Sequence, residues 1–183
     1  ADPLFTMAYT GVRGGLVLVS ADDPGMASSQ NEQDNRRYAK AASIMMLEPA
    51  DAQEAYDFLF DAFTLSETWN LPVLFRMTTR VCHSRSIVTL REPAPSGNPP
   101  HFVRDMQSYV MIPAYARPAH RRMREKMAKI EAWNEHSALN EIHEGDTSLG
   151  IITSGVTFLH TREAAPDARI LKLGMTYPLP INL

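Results

Sequence analysis

Only one cysteine, Cys82, occurs in the 183 residues, which excludes an internal disulfide, a four-cysteine zinc site and an iron-sulfur cluster held by this chain alone. It suits a reducing compartment, so a cytoplasmic location is expected. No apolar run approaches the roughly 20 residues that span a bilayer, and no membrane partner is expected. A large excess of one charge is also missing: the net charge of -3 gives no bulk attraction for nucleic acid, and none is expected as a partner. The opening stretch ADPLFTMAYTG has neither a basic segment nor an initiator Met, so it resembles no signal peptide and reads as a cut end. Internal repeats and low-complexity tracts are absent. What remains, 44% hydrophobic and 21% charged residues, is the composition of a soluble globular chain long enough to bury a core.

Leu16 to Ser20 is a short apolar run that reads as a strand buried on both faces, as in a parallel sheet. A polar run follows, and Ser29 with Glu32 fits a capping box that predicts a helix over about residues 30–42. Ile44 to Leu47 reads as a second strand. Asp51 with Glu54 repeats the helix-start signal, and Ala55, Phe58, Leu59, Ala62 and Phe63 form one apolar stripe. Leu71 to Arg76 reads as a third strand and Ser86 to Leu90 as a fourth. Alternating strands and helices with short connections predict a parallel α/β sheet, with ligands beyond the carboxyl ends of its strands. That rule puts residues 22–30 and 78–83 on the working edge. Pro93 to Pro100 reads as a linker. A basic amphipathic helix is expected from about Pro118 to Glu135, striped by Ala119, Met123, Met127 and Ile130. Leu149 to Thr153, Val156 to Ala165 and Ala168 to Leu173 then read as strand, helix and strand, a unit too small for a core of its own.

Two readings of the polar run coexist. Capping and a turn at Asp22-Asp23-Pro24-Gly25 account for Ser29 and Glu32. Ser28, Gln30, Asn31 and Gln33 remain, neutral donors and acceptors suited to a carboxylate, a phosphate or a partner loop. Around Cys82, neighbours on an extended chain point to opposite faces, which argues against a Cys82–His83 dyad. Arg80 and His83 as carboxylate-binding groups stand against a charged strand end with a buried Cys82. The glycines before the first strand precede rather than follow it, so they form no nucleotide loop. His136, His143 and the acids near them lack a metal-ligand spacing. Arg117, Arg121, Arg122, Arg124, Lys126 and Lys129 form either a solvated face or a docking surface, without interleaved aromatics to stack bases.

The stretches GVRGGLVLVSADDPGMASSQNEQDNRRYAKAA, LEPADAQEAYDFLFDAFTLSETWNLPVLFRMTTRVCHSRS, GIITSG and LKLGMTYPLP closely resemble the alpha-subunit family of indolepyruvate ferredoxin oxidoreductases, within the thiamine-diphosphate-dependent 2-oxoacid:ferredoxin oxidoreductases. The likeness covers nearly all of the chain and an internal part of the longer subunit. It implies oxidative decarboxylation of arylpyruvates to arylacetyl-coenzyme A with ferredoxin as electron acceptor. It also implies a three-layer parallel-sheet sandwich: residues 1–91 as the second half of a pyrimidine-binding thiamine-diphosphate domain, 92–147 as a linker with the basic helix, and 148–183 as the start of a transketolase-C-terminal-like domain. Thiamine diphosphate, magnesium and iron-sulfur clusters belong to the parent enzyme, and none is expected on this chain alone. Glu144-Gly145-Asp146-Thr147 lacks the second glycine of the family's diphosphate motif, and the metal site is not carried over. The resemblance assigns Gln33, Asp34, Arg80 and His83 to the substrate and cofactor cleft, with no catalytic residue of its own. Implied partners are the rest of the alpha subunit, a beta subunit, ferredoxin, coenzyme A and the arylpyruvate; exposed strand edges favour self-association. The competing readings are a sister enzyme of other 2-oxoacid specificity and a non-catalytic module that docks a partner through the basic helix.

Overall fold

A computed structural model describes residues 2–92 and 101–183. In chain order the elements are α1 (Asp2–Thr10), β1 (Val17–Asp22), α2 (Arg36–Ala42), β2 (Met45–Leu47), α3 (Ala52–Trp69), β3 (Val73–Thr78), α4 (Thr79–His83), α5 (Met106–Tyr109), α6 (Pro113–Asn134), β4 (Glu141–His143), β5 (Asp146–Ser154), α7 (Gly155–Ala164), β6 (Ala168–Leu173) and β7 (Met175–Tyr177). The linker expected at Pro93 to Pro100 lies outside the described residues.

β1, β3 and β2 pair in parallel in the order β1-β3-β2, and β7 closes the far edge antiparallel to β2. Alternate residues of β3 enter different cores, as the two-residue period of a strand requires. Val73 and Phe75 join Phe58, Ala62 and Leu65 of α3, while Leu74 joins Ala8 of α1, Ala39 of α2 and Met123 of α6. Helices therefore cover both faces. α6 packs through the predicted stripe, with Met127 and Ile130 in the α3-side core. A second sheet, β4-β6-β5, joins β5 to β6 in parallel and β4 to β6 antiparallel, under α7. β4 comes from upstream of residue 148, so the second sheet recruits part of the expected linker region.

Several expectations are corrected. The first helix begins at Arg36 and not near Gln30, because Asp23 captures the Ala27, Ser28 and Ser29 amides and wraps the chain around itself. β1 is an edge strand with one neighbour, which leaves Val19 66% exposed where burial on both faces was expected. Ser86 to Leu90 forms no strand; α3 side chains occupy its backbone instead, with Thr89 N–H donating to Gln53 and Arg91 N–H to the Tyr56 hydroxyl. In α3, Leu59 and Phe63 face outward, while Leu65 and Ser66 are buried. Ser66 ties the strand starts together, accepting from Leu16 N–H and donating to Leu71 O. α6 starts at Pro113, in a first-turn position that needs no N–H, and Pro118 lies inside the helix. Cys82 is exposed rather than buried. α1, α4, α5, β4 and β7 were not expected from the sequence. The Asp51–Glu54 start is as expected: the Asp51 carboxylate accepts the Glu54 N–H at 2.9 Å.

Ile130, fully buried, pins α6 to the sheet. Ile130→Ala is expected to cost about 2–5 kcal/mol of unfolding free energy, measured by chemical denaturation.

Candidate functional site

The carboxyl ends of β1 and β3 bring charge into the interior. Arg76, 3% exposed, donates from Nε to Asp22 Oδ2 at 2.5 Å and from Nη1 to Glu48 Oε1 at 2.5 Å. Asp22 at the end of β1 pairs with Thr78 of β3, and Glu48 follows β2 directly, so parallel pairing places both acids within reach of one guanidinium. Asp22 Oδ2 also accepts the Asn35 N–H at 2.8 Å, which sets where α2 begins. Asn35 is held a second time, its side-chain amide donating to Ser20 Oγ. Burial pushes the Glu48 carboxyl up, against the opposing pull of Arg76 and Arg36.

Next to this triad, Asp23 organises the polar loop. Its carboxylate accepts Ala27 N–H at 3.0 Å, Ser28 N–H at 2.7 Å, Ser29 N–H at 2.5 Å and the Thr79 hydroxyl at 2.7 Å. These bonds, led by Ser28 N–H and the Thr79 hydroxyl, hold Asp23 well below the usual carboxylate range. The Ser28 contribution is thus its backbone, and its side chain is exposed. Gln33 is half-buried and donates its N–H to the Asp23 carbonyl at 3.4 Å. Asp34 takes Arg36 in a two-pronged pair, Nε to Oδ1 at 2.7 Å and Nη2 to Oδ2 at 3.0 Å, which lowers its carboxyl to about 2.

Two adjoining clefts open here. One, about 490 Å³, is walled by Arg76, Thr78, Thr79, Arg80 and His160; the other, about 850 Å³, by Asp34, Lys40, Met46, Arg124 and Tyr177. Arg36, Glu48 and Ser154 border both. Of the residues singled out from sequence, Arg80 and Asp34 therefore line clefts, Gln33 and Ser28 serve the Asp23 loop, and Gln30, Asn31 and His83 are exposed and line neither cleft. Asp22, Asp23 and Thr79 lie in the stretches that the sequence placed on the working edge, without a role of their own, and Arg76 and Glu48 were missed. A signal for the group was present: a charged Arg76 within an apolar strand, and two acids directly after another.

The donor set suits an anion. Arg36 and Arg76 on the smaller cleft are already paired with carboxylates, so Arg80 supplies its unpaired positive charge among the described residues, and the Thr78 hydroxyl on its wall is buried with no partner. A metal is not suited: among the described residues no group of three or more His, Cys, Asp or Glu could hold one. Thus the residues fit a carboxylate or other polar, non-metal portion of a ligand.

Known proteins resemble the chain in sequence and in fold. The family described as pyruvate flavodoxin/ferredoxin oxidoreductase, thiamine diphosphate-binding, matches residues 17–120. Indolepyruvate oxidoreductase subunit IorA of Methanothermobacter thermautotrophicus is 44% identical over 193 aligned positions, covering 100% of this chain and 31% of that protein. The subunits of the same name from Archaeoglobus fulgidus and Pyrococcus abyssi are 43% and 41% identical, each again covering 100% of this chain and 30% of theirs. The chain thus spans about a third of the length of these relatives. A solved 2-oxoglutarate:ferredoxin oxidoreductase from Magnetococcus marinus, with 2-oxoglutarate, coenzyme A and succinyl-CoA bound, superposes with a TM-score of 0.62 at 14% identity over 99% of this chain and 41% of that one, a likeness of fold.

Two outcomes follow for the site. Arg76→Ala leaves two buried carboxylates unpaired and is expected to cost about 3–5 kcal/mol, read by denaturation. Asp23→Asn is expected to speed hydrogen exchange at Ala27, Ser28 and Ser29 while β3 stays protected. Because the Asp23 pKa is depressed, its contribution is complete above its ordinary 3.8 and is lost as pH falls through the lower folded value. The loop amides of the native protein should stay protected at pH 4 and open only in stronger acid.

Proposed function

Because the chain belongs to the pyruvate flavodoxin/ferredoxin oxidoreductase family of thiamine-diphosphate-binding proteins, we propose that it is part of the alpha subunit of an indolepyruvate-type 2-oxoacid:ferredoxin oxidoreductase. The observation that carries the reading is 44% identity, over the whole chain, to a protein named indolepyruvate oxidoreductase subunit IorA. The parent enzyme would decarboxylate an arylpyruvate oxidatively in the cytoplasm, form the arylacetyl-coenzyme A and deliver electrons through iron-sulfur clusters to ferredoxin. The rest of the subunit, a beta subunit and magnesium complete that assembly. Residues 1–91 would be the second half of its pyrimidine-binding domain and residues from 148 the opening of a transketolase-C-terminal-like domain. The division is supported by two sheets, one built mainly from each part.

Thiamine diphosphate, when bound, supplies a nucleophilic carbon and an electron sink for 2-oxoacid chemistry. This chain contributes the surroundings. The Arg76 charge is offset by two carboxylates, so Arg76 acts as a rigid post. Arg80 has no ion-pair partner among the described residues, and its guanidinium is free for a substrate carboxylate. Asp23 fixes the loop that forms one wall, and Asp34 aims Arg36 at the boundary of the two clefts.

Steady-state oxidation of indolepyruvate by the full-length subunit with its partner tests the proposal. Arg80→Ala is expected to lower kcat/KM by about ten- to a hundred-fold, the value of one charged hydrogen bond. Full activity in that variant would remove Arg80 from the substrate site. A native enzyme that ignores indolepyruvate would overturn the function.

A further inference from the structure

Glu48 is the residue on which both sheets converge. Its N–H donates to the Gly174 carbonyl at 2.9 Å, just before β7. Its Oε1 accepts from Arg76 Nη1 at 2.5 Å, and its Oε2 accepts from Ser154 Oγ at 3.4 Å, at the end of β5. Gly155, which opens α7, stands so near that a Cβ there would lie 2.6 Å from Glu48 Oε1. The same glycine has a φ of +54°, a conformation that residues with side chains rarely adopt. The start of α7 is thus built around a carboxylate that belongs to the other sheet, and a negative charge at a helix N-terminus is favourable.

Electrostatic balance adds a second argument. Asp22 alone would neutralise Arg76, and a further buried carboxylate carries a desolvation cost that folding does not require. Anchorage between the sheets is already supplied away from the clefts, where the Lys172 ammonium on β6 contacts Glu54 of α3 and Glu141 of β4. What Glu48 alone adds is a connection from α7 to the guanidinium at the cleft wall.

We infer that Glu48 is a positioning residue that couples the seating of β5 and α7 to Arg76 and so to the anion-binding cleft. The nature of the ligand rests on the proposed function; the coupling itself does not. In the assembled full-length enzyme, Glu48→Gln is expected to raise KM for indolepyruvate about ten-fold with kcat within about two-fold, as loss of one charged hydrogen bond would give. Glu48→Asp, which restores the charge, should recover part of that loss. Glu54→Gln, which breaks the distant clamp, should lower the melting temperature without moving KM. Hydrogen exchange at Gly155 to Thr157 should accelerate in Glu48→Gln and slow again in Glu48→Asp. An unchanged KM in Glu48→Gln would overturn the positioning role, and so would an equal rise in Glu54→Gln, which would mark general loosening. If the native enzyme does not oxidise indolepyruvate, the function fails while the exchange experiment still decides the coupling, with unaltered α7 exchange refuting it.

Discussion

A buried arginine held by two carboxylates is the constraint from which the rest of the site is arranged. Arg76 sits in the middle of a three-strand parallel array, where an unpaired guanidinium would be intolerable. Asp22 on one neighbouring strand meets its need for a counter-charge, and Glu48 beyond the other adds a second carboxylate. Asp22 in turn takes Asn35 and defines the start of α2, and Glu48 reaches across to the second sheet. Such a triad is weak evidence for net stability, since desolvation offsets most of the attraction. It gives geometry instead: three strand ends and a helix start held in fixed relation below an open cleft.

The loop above that triad repeats the logic with backbone groups. Asp23 collects three consecutive amides and a hydroxyl from β3's end, so a stretch with little to bury still has one defined path. The hydrogen-bonding side chains of residues 28–32 largely face solvent, and from the run only Asp34 reaches a cleft wall. A rigid floor and a fixed wall are what a site needs if it orients a charged ligand and leaves the chemistry to a cofactor.

The sequence made some of this legible and hid the rest for physical reasons. Helical periodicity located α3, and apolar runs located β2 and β3, whose two faces are both buried, in separate cores. It misplaced the start of α2, since Ser29 and Glu32 satisfy a local capping rule that Asp23 overrides with tertiary contacts. It gave β1 two buried faces because an apolar run does not reveal an edge position. It missed β4 and β7, three-residue strands whose pairing is set by distant partners. At the site, Arg80 was found from its charge and Asp34 through the family resemblance, but the triad was not. Buried ion pairs join residues 54 and 28 positions apart, and no local pattern announces which charges will meet.

The central claim is that this chain provides one wall and floor of a cleft completed by the rest of a thiamine-diphosphate enzyme. Isothermal titration of thiamine diphosphate with magnesium into this chain and into the full-length subunit with its partner tests it most directly. Saturable binding to the full assembly and none to the chain alone is expected. Comparable binding by the chain alone would contradict it, because the chain would then hold a complete cofactor site.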